Sequence, residues 1–312
     1  MYMSRIISNH IQSPLNYTGG KYKLLPQILP LFPQDINSFV DVFCGGGNVG
    51  VNINCQQVIF NDIDKNVIGL LKLFKNVPIN KLICDIMNII NEYGLSLVFE
   101  HGYEYYNCNS SAGLGNYNKQ SFFKLREYFN ALKRKDKKYY TYLYVLIIYA
   151  FNNQIRFNSK GEYNLPVGKR DFNGDMQTKL KKFVARLQEK QCSFISRDFR
   201  YFSSQRLTPQ DFLYADPPYL ITCATYNEKE GWNTQKEKCL YKYLDSLNEH
   251  HIRFALSNVL SSKGKTNEIL KAWLNEHVGV YACHHLDYNY SNSNYHTIDR
   301  STGSDEVLVT NY

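Results

Sequence analysis

The sequence predicts an α/β protein in which a mainly parallel sheet is interrupted by a largely helical insertion. Short apolar runs with strand character occur near the amino terminus and return after residue 192, and helical patterns lie between them. The predicted strands are residues 39–43, 58–62, 194–196, 212–215, 252–256 and 306–310. A parallel sheet with an insertion after its early strands is the simplest topology for this order. We expect residues 1–75 and 190–312 to form one domain, and residues 76–189 to form an insertion that overhangs the active edge of the sheet.

Length and charge set broad bounds on this protein. The chain has 312 residues, a formal net charge of +8 and a pI near 8.9. This length is enough for one large or two modest domains with a substantial core. The basic excess fits a polyanionic partner, but many proteins without such a partner share it. The 26 tyrosines suit base stacking, although drift in an AT-rich genome explains their number equally well.

The cysteine pattern indicates a reducing compartment. The eight cysteines include no pair at C-x-x-C spacing, which argues against a zinc site or a disulfide framework. The histidine pairs at 250–251 and 284–285 lack the spacing of metal ligands, so we expect no metal. The amino terminus lacks the apolar stretch of a signal peptide, and the most apolar run, residues 139–151, is too short for a membrane span. We expect a cytoplasmic protein in which this run is a buried helix.

The most informative motif is Asp216-Pro217-Pro218-Tyr219, which follows the predicted buried strand at 212–215. Such a strand would deliver the motif to the carboxyl edge of the sheet, where ligands bind in open α/β folds. The Asp216 carboxylate and the Pro217 carbonyl can accept the two hydrogens of a planar amine, while Tyr219 stacks on the ring that carries it. The motif therefore indicates a site for the exocyclic amine of a nucleobase. A simple turn after a strand is the alternative.

A glycine loop follows the first predicted strand. Residues 45–50 satisfy G-x-G-x-x-G, and the pattern around them runs strand, glycine loop, helix and strand, so a dinucleotide cofactor is one possibility. Asp41, four residues before the first glycine, would instead suit a cationic ligand group, and Asp62 at the end of the next strand would suit ribose hydroxyls. A ligand with a cationic amino-acid end and a ribose fits both carboxylates. S-adenosylmethionine is such a ligand and is favoured over NAD.

A second glycine motif, residues 16–21, precedes the first. Gly19 and Gly20 allow close backbone approach, and Lys21 at the start of the following helix can pair with a carboxylate, such as that of methionine. The motif is not a Walker sequence, because G-x-x-x-x-G-K-[ST] is absent. Nucleotide hydrolysis is therefore not indicated.

These elements, in this order, resemble the Dam-like adenine-N6 DNA methyltransferases of the alpha-ordered group. The resemblance covers essentially the whole chain and extends to Leu256-Ser257-Asn258 and to the carboxyl terminus, residues 306–312. It implies a Rossmann-like methyltransferase sheet, mostly parallel with an antiparallel C-terminal strand, and a mainly helical target-recognition insertion with a β-hairpin. It also implies S-adenosylmethionine as cofactor and catalysis by the residues of the Asp216–Tyr219 motif. The cofactor-binding residues that it implies are Tyr17, Gly20, Lys21, Asp41, Phe43, Gly45, Gly47, Asp62 and Asp198.

Residues 151–168 resemble the DNA-reading hairpin of the family. Ser-Lys-Gly between aromatic-rich arms already indicates a β-hairpin. By the resemblance, Phe151 inserts into the base stack, Asn152 contacts the unpaired thymine, and Arg156 reads a guanine with its bidentate fork. The DNA-binding residues that the resemblance implies are Phe151, Asn152, Gln154, Arg156, Asn158 and Pro166.

Two residues depart from the pattern of the GATC-specific members. Asn16 stands where those proteins carry a lysine that reads the first guanine, and Gln154 replaces an apolar recognition residue. GATC or a related sequence is the expected target.

The resemblance implies a monomeric enzyme that flips adenine out of duplex DNA and methylates its N6 amine. A separately encoded restriction endonuclease is compatible with this activity. Two other functions stay open from the sequence. One is a DNA-binding module of the same fold that has lost catalysis, and the other is a methyltransferase that acts on RNA adenine or on cytosine N4.

Overall fold

A computed structural model describes residues 10–17, 19–222, 231–287 and 303–312. Thr18, within the amino-terminal glycine motif, and Cys223 lie outside these residues. The strands are β1 (Ser38–Asp41), β2 (Gln57–Asn61), β3 (Cys192–Ile195), β4 (Phe212–Ala215), β5 (Arg253–Ser262), β6 (Lys265–Thr266), β7 (Ala282–Leu286) and β8 (Asp305–Thr310). Each predicted strand is present, and β5 extends six residues beyond its predicted end at Leu256.

The strands form one sheet in the order β3-β2-β1-β4-β5-β8-β7, and β6 pairs only with β5. The first five strands in this order are mutually parallel, whereas β8 runs antiparallel to both β5 and β7. The predicted Rossmann-like sheet with an antiparallel C-terminal strand is thus confirmed. Chain order reverses between β1 and β4, and such a switch point leaves a crevice outside the carboxyl ends of the strands.

The connection between β1 and β2 differs from the prediction. Its only regular helical structure is a 3₁₀ turn, Gly50–Asn52, rather than a longer helix. The Asn52 side chain donates to the carbonyls of Ile11 (2.8 Å) and Asn48 (2.7 Å), and it accepts the Ile11 N–H at 2.8 Å. Because the side chain of Asn52 ties this turn to the amino-terminal segment, and Ile53 is already extended, the helix does not propagate.

The helices are α1 (Leu25–Ile28), α2 (Lys65–Asn76), α3 (Ile79–Tyr93), α4 (Val98–His101), α5 (Gly115–Ala131), α6 (Lys137–Tyr149), α7 (Gly174–Glu189), α8 (Thr234–Glu249) and α9 (Glu268–Glu276). Helix α6 is the predicted buried helix. Asp136 caps it by accepting the Tyr139 N–H at 3.2 Å, and its apolar side chains are buried all round.

Two apolar clusters cover the two faces of the sheet. One contains Phe39, Phe60 and Phe212 and continues without a break into helices α3 and α5–α7 of the insertion. The other contains Val40 and Leu213 and packs against α8 and α9. The division at residues 76 and 189 stays a prediction, because the insertion shares a core with one face of the sheet.

Candidate active site

A cavity of about 690 Å³ opens at the carboxyl ends of β1, β2, β3 and β4. It lies at the switch point of the sheet, and the hairpin region of the insertion forms part of its wall. The predicted residues that line it are Tyr17, Gly20, Lys21, Asp41, Phe43, Gly45, Asp62, Gln154, Arg156, Asp198, Asp216, Pro217, Pro218 and Tyr219. The other predicted residues, Gly47, Phe151, Asn152, Asn158 and Pro166, do not line the cavity.

Asn61 aligns three of the strand ends. Its side chain is fully buried and donates to the carbonyls of Val42 (2.9 Å) and Arg197 (3.1 Å), and it accepts the Arg197 N–H at 3.2 Å. These bonds join the segments that follow β1 and β3 to the end of β2. Asp41 at the end of β1, Asp62 after β2 and Asp198 after β3 are thereby held at one edge of the sheet.

Asp216 lies in a three-group contact with Lys21 and Tyr219. The Lys21 Nζ is 2.9 Å from Asp216 Oδ1 and also donates to the Gly19 carbonyl at 2.8 Å. The Tyr219 hydroxyl donates to the same carboxylate oxygen at 3.2 Å, and the Lys21 Nζ lies 4.8 Å from the Tyr219 ring centroid. Lys21 therefore pairs with a carboxylate of the chain itself, whereas the sequence suggested the carboxylate of methionine as an example of its partner. Both of these contacts use Oδ1, which leaves Oδ2 as a possible acceptor for a ligand, and Asp216 lines the cavity.

Burial and charge act in opposite directions on Asp216. Burial raises the pKa of its carboxyl, whereas the Lys21 ammonium and the Tyr219 hydroxyl lower it. Lys21 is almost fully buried, with 4% of its side chain exposed. The pair is a charge-assisted hydrogen bond with little access to solvent, so each partner depends strongly on the other.

Asp41 is a buried carboxylate beneath the glycine loop. Its Oδ2 accepts the Gly50 N–H at 3.2 Å, and the side chain lines the cavity. Burial raises its pKa well above the usual value, and the nearby carboxylates of Asp216 and Asp62 raise it further. A cationic group in the cavity would relieve this repulsion, as the sequence predicts.

Asp62 holds the start of the glycine loop. Its Oδ2 accepts the Gly45 N–H and its Oδ1 accepts the Asp64 N–H, both at 2.9 Å. Burial raises its pKa to about 6, against the lowering effect of these backbone bonds. Asp62 also lines the cavity, where a carboxylate can accept further hydrogen bonds from ligand hydroxyls.

Gly45 permits close contact between the glycine loop and Tyr17. Its φ is +46°, and a Cβ at this position would lie 2.7 Å from the Tyr17 Cδ1 atom. Gly47 also has a positive φ, +77°, but a Cβ there would meet only ordinary contacts in the core. Burial and the charge of Asp62 raise the pKa of the Tyr17 phenol, which is therefore neutral.

Replacing Gly45 by alanine should lower the free energy of unfolding by about 2–4 kcal/mol, because it adds a steric clash to an unfavourable left-handed backbone. Gly19 is the matched control, because it has φ +80° and, apart from Gly19 itself and its two chain neighbours, no residue has an atom within 4 Å of the position that a Cβ would take. Gly19→Ala should lower it by only about 1–2 kcal/mol. Urea unfolding of the two variants measures both values. Equal destabilisation would show that the Tyr17 contact is unimportant.

Asp198 is held by its neighbour in the sequence. Its carboxylate caps a 3₁₀ turn and pairs with the Arg200 guanidinium, Oδ1 to Nε at 2.9 Å and Oδ2 to Nη2 at 2.7 Å. The bonds from Arg200 lower the pKa of this carboxyl. Asp198 is therefore a charged acceptor at the end of β3, beside Phe199.

Sequence reasoning missed an aromatic wall of the cavity. The rings of Phe43, Phe199 and Trp232 lie 5.4–5.6 Å apart, centroid to centroid, and all three residues line the cavity. Only Phe43 was among the predicted residues. Phe199 could have been inferred from its place directly after Asp198, whereas nothing in the local sequence marks Trp232.

The predicted hairpin is a loop with two isolated antiparallel bridges, Ala150 with Val167 and Phe157 with Tyr163, rather than a pair of regular strands. It is short because side chains satisfy much of its backbone. Asn130 of α5 accepts the Tyr163 N–H at 2.9 Å and donates to its carbonyl at 3.1 Å. The insertion thus supports the hairpin through α5.

The predicted DNA-reading side chains have different surroundings. Arg156 is exposed at the cavity rim, and its Nε donates to Asn164 Oδ1 at 3.0 Å. Asn158 closes the turn, since its Oδ1 accepts the N–H groups of Lys160 and Glu162. Phe151 is 51% exposed. Pro166 is also exposed and accepts the Phe151 N–H through its carbonyl at 2.9 Å.

Asn16 connects the amino-terminal glycine motif to the hairpin. Its Nδ2 donates to the Asn152 carbonyl at 2.7 Å, and Asn152 has a φ of +53°. Asn152 and Asn16 are both exposed. Asn16, one of the two residues that depart from the GATC-specific pattern, therefore binds the backbone of a predicted DNA-contacting residue.

Within the described ranges, no three His, Cys, Asp or Glu side chains are grouped so that they could hold a metal ion. The seven cysteines of this part of the chain are free thiols. None of the helices described is both long and apolar enough to cross a membrane.

The fold and the cavity are those of an α/β protein with a Rossmann-like sheet and a ligand cleft at its switch point. The sequence profile of the D12 class N6 adenine-specific DNA methyltransferases matches residues 17–292, and the chain belongs to this family. The resemblance to adenine-N6 DNA methyltransferases is thereby confirmed.

Several curated relatives are similar to this chain. The modification methylase StsI of Streptococcus sanguinis is 42% identical over 310 residues, which are 97% of this chain and 43% of that protein. The type II methyltransferase M.FokI of Planomicrobium okeanokoites is 40% identical over 311 residues, 98% of this chain and 43% of that protein. The DNA adenine methylase of Escherichia coli (strain K12) is 25% identical over 248 residues, 78% of this chain and 79% of that protein. The chain spans less than half the length of the first two relatives.

Proposed function

We propose that this protein transfers a methyl group from S-adenosylmethionine to the N6 amine of adenine at a specific site in duplex DNA. The observation that carries the proposal is the position of the Asp216 carboxylate. It lies in the same cavity as the glycine loop and the buried acids Asp41 and Asp62. Family membership supports the same chemistry, and the names of the relatives include a DNA adenine methylase.

The residues around the glycine loop fit S-adenosylmethionine. Gly45 lets the Tyr17 ring lie directly against the backbone of the loop, and both residues line the cavity that the ligand would occupy. The raised pKa values of Asp41 and Asp62 reflect buried carboxylates that a cationic amine and ribose hydroxyls would stabilise. When bound, this cofactor supplies an electrophilic methyl group on a sulfonium. In our proposal Gly20, Lys21, Phe43 and Asp198 complete its site, whereas Gly47, which does not line the cavity, contributes through its positive φ to the shape of the glycine loop.

The Asp216–Tyr219 motif would bind the target amine. The free Oδ2 of Asp216 and the Pro217 carbonyl accept its two N–H groups, which draws the nitrogen lone pair out of conjugation with the ring. Pro218 stiffens the turn, and Tyr219 stacks on the purine. The N6 nitrogen would gain the methyl group as its bond to the donor sulfur breaks and leaves a neutral thioether, and the nitrogen would then release one proton to solvent. Positioning and electrostatics would supply most of the rate.

Duplex stacking hides the target amine, so the adenine must leave the helix, at a cost of a few kcal/mol. Phe151 is exposed and precedes the cavity-lining residues Gln154 and Arg156 by a few positions in the chain, and in our proposal its ring fills the gap that the base leaves. In our proposal Asn152, Asn158 and Pro166 join these residues in reading DNA, with GATC or a related sequence as the target.

The activity is tested by incubating the chain with tritiated S-adenosylmethionine and duplex DNA, then digesting the DNA to nucleosides. We expect the label in N6-methyl-2′-deoxyadenosine. Label in N4-methylcytosine, label only with RNA, or DNA binding without any label would each contradict the proposal. Sequencing methylated DNA from a modification-free host that expresses the chain then identifies the target site.

Replacing Phe151 by alanine should lower kcat/KM for a fully paired duplex by about tenfold, because nothing would offset the unstacking energy of the flipped base. The dissociation constant for S-adenosylmethionine should not change. A substrate with a mismatch opposite the target adenine is the control, since this base leaves the stack more easily. It should restore much of the lost activity. An equal loss on paired and mismatched substrates would contradict the role of Phe151 in flipping.

The remaining expectations are part of the same proposal. Residues 1–75 and 190–312 would bind the cofactor, and residues 76–189 would read DNA. The free cysteines favour a reducing, cytoplasmic compartment. We expect a monomer. We also propose a separately encoded restriction endonuclease as the cognate enzyme, because two of the similar proteins are called a modification methylase and a type II methyltransferase.

A further inference from the structure

Glu237 is a buried carboxylate close to the cavity that the proposed mechanism does not use. It lies in the first turn of α8 and is 0% exposed. Four neutral donors surround it. The Trp232 Nε1–H donates to Oε2, while Oε1 accepts the Tyr241 hydroxyl (2.5 Å), Asn258 Nδ2 (3.0 Å) and Asn267 Nδ2 (3.1 Å). A carboxylate buried this deeply persists because these donors satisfy it.

The four donors come from different parts of the fold. Asn258 lies in β5, Asn267 caps α9, and Tyr241 lies one turn further along α8. Trp232 instead belongs to the segment before α8, and its indole packs on Phe43 and Phe199 in the cavity wall. Glu237 thus links the Trp232 part of this wall to β5 and α9.

We infer that Glu237 is a positioning residue that holds the Trp232 indole in the wall of the cofactor site. This inference rests on the proposed function, since the ligand of that wall is taken to be the adenine ring of S-adenosylmethionine. Planar apolar rings bind a purine by stacking and exclusion of water. An indole free to rotate would have to be ordered on binding, which weakens affinity.

Replacement by glutamine separates the link to Trp232 from the rest of the network. Asn258 and Asn267 cannot reverse their amides, because their oxygens already accept the N–H groups of Val259 (2.8 Å) and Leu270 (3.1 Å). They continue to donate, so a glutamine at 237 must place its oxygen toward them. Its NH₂ group then faces the indole N–H, donor against donor. Three of the four bonds survive, and the bond to the cavity wall is lost.

The test compares Glu237→Gln, Trp232→Phe and the double variant by calorimetric titration with S-adenosylmethionine. Glu237→Gln should weaken binding about tenfold, the effect of losing a hydrogen bond to a charged group. Trp232→Phe keeps a ring but has no N–H, so adding Glu237→Gln to it should change affinity by less than about twofold. Glu249→Gln, an exposed change at the end of the same helix, should bind like the unmodified protein.

Indole fluorescence provides a readout that does not require a ligand. The chain has two tryptophans, so the difference between the unmodified protein and Trp232→Phe isolates the emission of Trp232. Glu237→Gln should shift this emission to longer wavelength as the indole becomes mobile and hydrated. The inference is overturned if the emission is unchanged, or if Glu237→Gln weakens binding equally with and without the indole. Failure of the unmodified chain to bind the cofactor would contradict the proposed function instead, and the emission shift would still decide the role of Glu237.

Discussion

Replacing Asp216 by asparagine should lower kcat for methyl transfer by about a thousandfold, the upper range for losing one preorganised group that acts on the reacting atoms. The asparagine side chain has the same shape as that of aspartate, and its amide oxygen can still accept from Lys21 and Tyr219. Its NH₂ group would then occupy the position of Oδ2 and repel the N–H groups of the target amine. Binding of the target would lose an acceptor while the cavity kept its form.

Two measurements make this prediction specific. The dissociation constant for S-adenosylmethionine, measured by calorimetry, should stay within about threefold of the unmodified value, because Asp216 acts on the amine. Asp175→Asn, an exposed change on α7, is the matched control and should leave both constants unaltered. Near-normal turnover by Asp216→Asn would remove the basis of the proposed site.

Replacing Lys21 by methionine should lower kcat about tenfold at neutral pH, and more as the pH falls. The Lys21 Nζ is 2.9 Å from Asp216 Oδ1 and opposes the effect of burial on the pKa of that carboxyl. Without the ammonium this pKa rises further. Because only the ionised carboxylate has both acceptors available for the amine and for Tyr219, activity is present above this pKa and lost below it. The acid limb of the kcat profile should therefore move to higher pH.

The pH profile distinguishes this effect from general damage to the site. A variant that is merely misfolded would lose activity at all pH values in the same proportion. Lys72→Met, an exposed change on α2, should keep the unmodified profile. An acid limb that stays in place in Lys21→Met would show that Lys21 does not control the ionisation of Asp216, and would return it to a role in binding the cofactor carboxylate alone.

Local sequence patterns identified many of the residues that line the cavity, because several of its acids lie at or directly after the end of a strand. Asp62 and Asp216 come immediately after apolar strand runs, and Asp41 is the last residue of β1. In a parallel sheet these ends must meet at one edge. The glycines at 45 and 47 were recognisable from the G-x-G-x-x-G pattern, and in the structure both have a positive φ. Such features depend only on neighbouring residues, and a single sequence displays them.

The sequence was less informative where side chains replace regular backbone pairing. The predicted helix after the glycine loop is a single 3₁₀ turn, because Asn52 binds the amino-terminal segment 41 residues away. The predicted hairpin has isolated bridges, because Asn130 on a distant helix takes over the backbone bonds of Tyr163. Neither partner can be identified from local pattern.

The order of strands, acids and glycines along the chain was sufficient by itself to determine the class of fold, the edge of the sheet that carries the site and the family. Tertiary structure alone decided which groups contact one another there: Lys21 with Asp216, Asn16 with Asn152, and Glu237 with Trp232. The physical reason is that periodicity and turn chemistry act over a few residues. A hydrogen bond or ion pair between distant segments depends on how the whole core packs.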